Sequence, residues 1–175
     1  MEVRRLLSKD MISDFSCGTS ALDDYLSKHA RESAGRQWNA TWLAIDTEGD
    51  DAIAGYVTMV PGSVRSALLK PLIPRLPGYP APVLLLAKMA TDLRFRGRGV
   101  GTRLLREVFR AALTQAEQVG CVGVFTDAKP DAVAFYDRQG FVLVEAPQAE
   151  VGTTAMFLTM PAVRERLVAL ADAPQ

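Results

Sequence analysis

The sequence predicts a mixed α/β fold, a central and partly parallel twisted sheet flanked by helices. Three observations predict it. The first is the stretch from Leu84 to Ala116, which changes period midway. Leu84-Leu85-Leu86-Ala87 and Met89-Ala90 form an apolar run of strand length, broken only by Lys88. After a glycine-rich segment, apolar residues recur at 100, 104, 105, 108, 109, 112 and 116, the steps of one helical face. The second is Cys121-Val122-Gly123-Val124-Phe125-Thr126, which reads as another buried strand, with Gly120 before it as the helix C-cap. A strand, a helix and a strand at this spacing make a right-handed crossover with the two strands parallel. The third is a hairpin: residues 38 to 45 and 52 to 60 are rich in β-formers and flank the polar stretch from Asp46 to Asp51.

The remaining elements come in chain order. Val3 to Leu7 reads as a short first strand. Ser20-Ala21-Leu22-Asp23 has the capping-box form, and Leu22, Tyr25, Leu26 and His29 continue at helical spacing, so a helix is expected to end near Gly35. His29, the only histidine, continues that apolar face and is read as a packed side chain rather than a base. Six of the ten prolines fall between Pro61 and Pro82. Residues 63 to 70 have room for two helical turns there, with the rest irregular, and an insert of this length is a candidate substrate lid. Pro130 suits the first turn of a short helix that Gly140 ends. Strands are expected at 141 to 144 and 153 to 159, and Pro161 opens a terminal helix.

The chain has 175 residues, of which 49% are apolar and 23% charged, an ordinary globular composition long enough for one domain with a sizeable core. We read residues 1–175 as a single domain. No run is long enough to span a bilayer, and Met1-Glu2-Val3-Arg4-Arg5 does not open a signal peptide. Two cysteines, Cys17 and Cys121, with one histidine make neither a disulfide framework nor a metal site, so no metal is expected. Cytoplasmic location fits. Net charge is zero, which argues against a general nucleic-acid coat. The charge is unevenly spread, though. From Arg94 to Arg110 six arginines face one acid, Glu107. Such an island suits a polyanionic cofactor or RNA, or else Arg103, Arg106 and Arg110 are the solvated face of a helix.

The chemistry centres on Arg96-Gly97-Arg98-Gly99-Val100-Gly101-Thr102. Glycines at alternate positions, where a helix begins, leave backbone N–H groups bare at the positive end of its dipole. That is a phosphate seat. It is not a P-loop, because no Gly-Lys-Ser/Thr closes it. Nor is it the dinucleotide pattern, because Thr102 stands where the third glycine would fall.

R-x-x-G-x-G, read as Arg96, Gly99 and Gly101 after a strand and before a helix, resembles the pyrophosphate loop of the GNAT superfamily of acetyl-CoA-dependent N-acetyltransferases. Ala134-Phe135-Tyr136-x-x-x-Gly140-Phe141 resembles the ending of the same proteins. Phe15 to Gly18 with Leu22 and Leu26, Gly55-Tyr56, Pro61 to Val64 and Pro82 to Leu85 resemble one branch, the GNAT toxins of toxin–antitoxin pairs, which acetylate aminoacyl-tRNA. The resemblance implies a GNAT-like fold with acetyl-CoA as cosubstrate. Backbone groups of Met89, Ala90 and Thr91 would pair with the pantetheine arm and acetyl carbonyl, and residues Arg96, Gly97, Arg98, Gly99, Val100, Gly101 and Thr102 would hold the pyrophosphate. Tyr136 would be the general acid that protonates the departing thiolate, a role its phenol suits. A small antitoxin is the implied protein partner, and a homodimer is left open.

The general base is not legible: Asp92, Asp127 and water are the alternatives. Two positions depart from the family. Lys129 stands where many members carry an asparagine, and Asp127-Ala128 stands where the toxin branch has His-Ala. The expected reaction is direct acetyl transfer to a primary amine, that of aminoacyl-tRNA or of a small molecule or protein. A non-catalytic acyl-CoA-sensing module is the reading from another class.

Overall fold

The computed structural model describes residues 1–144 and 152–172. Its elements run β1 (Glu2–Arg5), α1 (Ser20–Asp24), a π-helical turn (Tyr25–His29), α2 (Ala30–Gly35), β2 (Ala40–Asp46), β3 (Ala52–Val64) and α3 (Ser66–Leu69). Then come β4 (Ala81–Thr91), a 3₁₀ turn (Leu93–Phe95), α4 (Val100–Gln118), β5 (Gly123–Ala128), α5 (Val133–Arg138), β6 (Val142–Leu143), β7 (Thr154–Thr159) and α6 (Met160–Asp172). The strands form a seven-stranded sheet in the order β1-β2-β3-β4-β5-β7-β6. β1, β2 and β3 pair antiparallel, as do β5, β7 and β6, while β4 and β5 pair parallel. The parallel pairing of β4 with β5 is thus the one expected, and the sheet is mixed.

The described chain divides into two compact units. One comprises Met1–Val60 with Ala87–Val108. Its core gathers Phe15, Leu26, Ala30, Leu43, Ile53, Tyr56 and Ala90. The helical run over residues 20–35 lays Leu26 and Ala30 into it, and the π turn decides which side chains those are. A π turn inserts one residue and so rotates every later side chain about the helix axis; Ala30 is buried and His29 is exposed. The expectation of a packed histidine is therefore corrected. The capping box is corrected too. Thr19 is the N-cap without a side-chain cap bond, and the Asp23 carboxylate reaches back to accept from the Cys17 amide at 2.8 Å. On β3, Gly55 sits under the start of α4, where a Cβ would stand 2.7 Å from Val100 Cγ1 and 2.8 Å from the Ala90 carbonyl. Only glycine allows that approach.

The other unit comprises Pro61–Leu86 and Phe109–Gln175. Leu69, Ala81, Val83, Phe125 and Phe157 form its core. The proline-rich insert is shorter than its composition implied, since residues 61–64 extend β3 and β4 begins at Ala81. What remains is pinned by Leu68, Leu69, Leu72, Ile73 and Leu76 against that core. Those side chains make it a packed segment rather than a loose one. Pro130 lies ahead of the short helix, whose first residue is Val133; a turn accepting at the Lys129 carbonyl intervenes. Gly140, at φ +91, ends that helix as expected. Phe109 of α4 meets Phe141 at a ring-centroid distance of 6.4 Å.

Candidate active site

Met89, Ala90 and Thr91 occupy the last residues of β4, while Arg96 to Gly99 lead into α4 and Val100 to Thr102 are its first residues. The ladder from β4 to β5 covers Leu84↔Val124 and Leu85↔Phe125. Residues 87–91 of β4 therefore carry backbone groups with no ladder on that side, available to a ligand that pairs like an added strand. Past the 3₁₀ turn, Gly97 and Gly99 take φ +76 and +75, and a Cβ at either would find no atom within 4 Å. Among the described residues, the amides of Gly97, Gly99, Val100, Gly101 and Thr102 have no acceptor; those of Arg98 and Arg103 bond to the Phe95 and Gly99 carbonyls. Unpaired amides at the mouth of a 19-residue helix, beside open space, fit a diphosphate. Gly99→Ala tests this without a steric clash. An L-residue at that φ costs roughly 1–2 kcal/mol, which turns the amides away. The expected result is an acetyl-CoA KM about tenfold higher with kcat nearly kept, and an unchanged KM would refute it.

The loop is held from behind by Asp92, which is 1% exposed. Its oxygens accept from the Ser16 amide at 3.1 Å, the Arg94 amide at 2.9 Å, and Arg94 Nε and Nη2 at 2.9 and 3.0 Å. Burial opposes ionisation, but these donors outweigh it and hold the carboxyl below its ordinary pKa. A carboxylate so fully engaged is a poor base, and Asp92 leaves the list of candidates. The neighbouring bonds tie the same two segments together: Leu93 N–H donates to the Ser16 carbonyl at 2.9 Å, and Arg96 Nη2 to the Cys17 carbonyl at 2.6 Å. Arg96 thus braces the loop with its side chain. Because the folded pKa is lowered, the stabilisation is present at neutral pH and is lost as pH falls through that value. Asp92→Asn should cost about 2 kcal/mol at pH 7 and flatten the acid limb of Tm against pH. A curve parallel to that of the wild type would count against the clamp.

Tyr136 lies in the other unit, on α5, and is 5% exposed. Its ring stands edge-on to Phe135 and Phe141, each at 5.3 Å. Burial pushes its phenol up to about 12, against a smaller opposing effect of a hydrogen bond with Thr126. Tyr136 therefore carries its proton at neutral pH, as an acid must. The Thr126 hydroxyl, itself buried, donates to the Leu86 carbonyl at 3.0 Å, on the first β4 residue past the ladder. Sequence reading missed both this threonine and the Asp92 clamp. Asp92 two residues before Arg94 was a usable signal; Thr126 had none, because its partner lies 40 residues away.

Cys17 and Cys121 are buried, and burial raises both thiols, which makes them poor nucleophiles. Among the described residues no group of three or more His, Cys, Asp or Glu could hold a metal, and no helix is long and apolar enough to cross a membrane.

The chain belongs to the GNAT acetyltransferase family, whose acetyltransferase (GNAT) domain matches residues 37–143. It is similar to a tRNA-acetylating toxin of Mycobacterium tuberculosis, 32% identical over 134 residues, covering 76% of this chain and 79% of that protein. Among solved structures it is similar to AtaT complexed with acetyl-methionyl-tRNAfMet, with a TM-score of 0.84 at 20% identity over 94% of this chain and 97% of that one. It is also similar to a tyrosine-to-phenylalanine mutant of the AtaT toxin bound to the C-terminus of the antitoxin AtaR and acetyl-CoA, with a TM-score of 0.75 at 18% identity over 98% of each chain. The chain is an acyltransferase with acetyl-CoA as cosubstrate.

Proposed function

We propose that this chain acetylates the amino group of aminoacyl-tRNA, acting as the toxin of a toxin–antitoxin pair. The observation that carries the reading is the 32% identity to a tRNA-acetylating toxin over three quarters of the chain, together with a glycine loop whose amides are unpaired. In this reading residues 1–175 act as one acetyltransferase domain. The amides of residues 96–102 bind the diphosphate, while Met89, Ala90 and Thr91 pair through their backbone with the pantetheine arm and acetyl group. Acetyl-CoA supplies the acyl group when bound. Tyr136 holds its proton until the thiolate departs and then releases it there. Holding amine and thioester together accounts for much of the rate. Since neither cysteine is a competent nucleophile, transfer is direct.

The α-amine of an aminoacyl ester has a low pKa, so water suffices as base. Asp127, exposed on β5, is the side-chain alternative. An unchanged acidic limb of kcat/KM in Asp127→Asn would remove it. The partner in this reading is a small antitoxin, and the working compartment is the cytoplasm, where charged tRNA is found.

Acetylation of charged tRNA, measured against salt, tests the proposal. Steep loss of kcat/KM with salt is the expected outcome, because tRNA affinity rests on phosphate neutralisation. Turnover of small or protein amines with none of charged tRNA would move the substrate to that class. Tight acetyl-CoA binding with no acetylated product would leave a sensing module. Binding itself is read as a rise in Tm, since ligand at 100 times its Kd adds about 2.7 kcal/mol.

A further inference from the structure

β4 carries one charge in an otherwise apolar sequence, and neither the sheet nor the cofactor seat accounts for it. Lys88 precedes Met89 directly. Its Nζ sits 4.8 Å from the centre of the Tyr25 ring, which in turn stacks on Tyr56 at 6.2 Å. Among the described residues no carboxylate lies within ion-pair distance of Lys88. The Tyr25 hydroxyl accepts from Asn39 Nδ2 at 3.1 Å, and Asn39 Oδ1 is buried without a donor. An ammonium without a counter-charge therefore lies over the face of the Tyr25 ring, and a buried amide oxygen without a proton belongs to the asparagine at its hydroxyl. A half-buried ammonium held on an aromatic face keeps an open side that an anion can complete, and a buried unsatisfied acceptor needs a reason.

The strand pleat says which side this is. Lys88 shares a face with Ala90, which is buried with Leu26 and Tyr56 beneath the helical run over residues 20–35. Gly55, on the opposite face of β3 from Tyr56, carries the start of α4. Within this unit α4 therefore starts over one face of the sheet and Lys88 stands on the other. Direct transfer needs the amine to meet the thioester from a side that the cofactor does not fill.

We propose that Lys88, propped on Tyr25 with Asn39 behind it, is an acceptor-side subsite that takes a phosphodiester near the 3′ end of aminoacyl-tRNA. The phosphodiester of the terminal nucleotide is the negative charge nearest the reacting amine, and its ribose offers a hydroxyl donor for Asn39 Oδ1. This rests on the aminoacyl-tRNA reading of the function.

The test compares wild type with Lys88→Met, which keeps the apolar stem over the ring and removes the charge, and Lys88→Arg, which restores it. Lys88→Met should raise KM for charged tRNA about tenfold and reduce the slope of log affinity against log salt by about 0.7. KM for acetyl-CoA should hold, and Lys88→Arg should recover most of the loss. An amine-reactive footprint on the wild-type protein supplies an arm that needs no variant, with charged tRNA shielding Lys88. Wild type that acetylates charged tRNA, with an unshielded Lys88 or a Lys88→Met equal to wild type, overturns this inference alone. Wild type that leaves charged tRNA unmodified overturns the substrate reading and the subsite with it.

Discussion

Tyr136→Phe should lower kcat by roughly 100- to 10,000-fold, the usual range for loss of a positioned general acid, with KM for acetyl-CoA unchanged. The substitution removes one oxygen and keeps the ring that stands edge-on to Phe135 and Phe141. Packing and the cofactor seat should therefore survive. The phenol is held protonated by burial, its value pushed up to about 12, so activity should show no alkaline loss from Tyr136 ionisation below that pH. Steady-state kinetics with a thiol readout, alongside a melt, separates the outcomes. A kcat within a factor of two or so of wild type would remove Tyr136 from the reaction. A KM that rises with kcat intact would make it a binding residue instead.

Gly123→Ala should be the most destabilising small substitution in the sheet. A Cβ there would stand 2.5 Å from Phe157 Cζ and closer still to the Leu158 carbonyl of β7. Backbone cannot yield as a side-chain tip can. Gly123 opens β5, which pairs with β4 on one side and with β7 along its length, Gly123 facing Thr159. Overpacking of this kind costs about 3 kcal/mol, a fall in Tm of roughly 6–12 °C for a chain of this size. A thermal melt matching wild type would show that the strands part freely there.

Much of the fold was legible because local periodicity and tertiary burial agree along the middle of the chain. Of the positions expected to face the core on α4, Val100, Leu104, Leu105, Val108, Phe109 and Ala112 are buried, and Ala116, in the last turns, is half-buried. The parallel pairing of β4 with β5 came from one strand–helix–strand spacing. The glycine loop was legible for the same reason: alternating glycines at a helix start have few other uses, and two of them take the positive φ that only glycine adopts without cost. Where reading failed, a distant contact or a single inserted residue had intervened. The π turn at Tyr25–His29 moved His29 to the surface, an offset that no helical wheel contains. The proline-rich segment reads as irregular beyond residues 63 to 70, where α3 does form, yet Leu72, Ile73 and Leu76 in that remainder pack against a core.

The sequence by itself determined the parallel pairing of β4 with β5 and the glycine loop that opens α4, because each is written in residues close together in the chain whose chemistry permits little else. Only the tertiary structure decided that Asp92 is a clamp and not a base, that Thr126 meets Tyr136, and that Lys88 rests on an aromatic ring without a counter-charge. The physical reason is that hydrogen bonds, burial and charge pairing depend on distance through space. Partners as remote as Asp92 and Ser16, 76 residues apart, leave no local pattern to read.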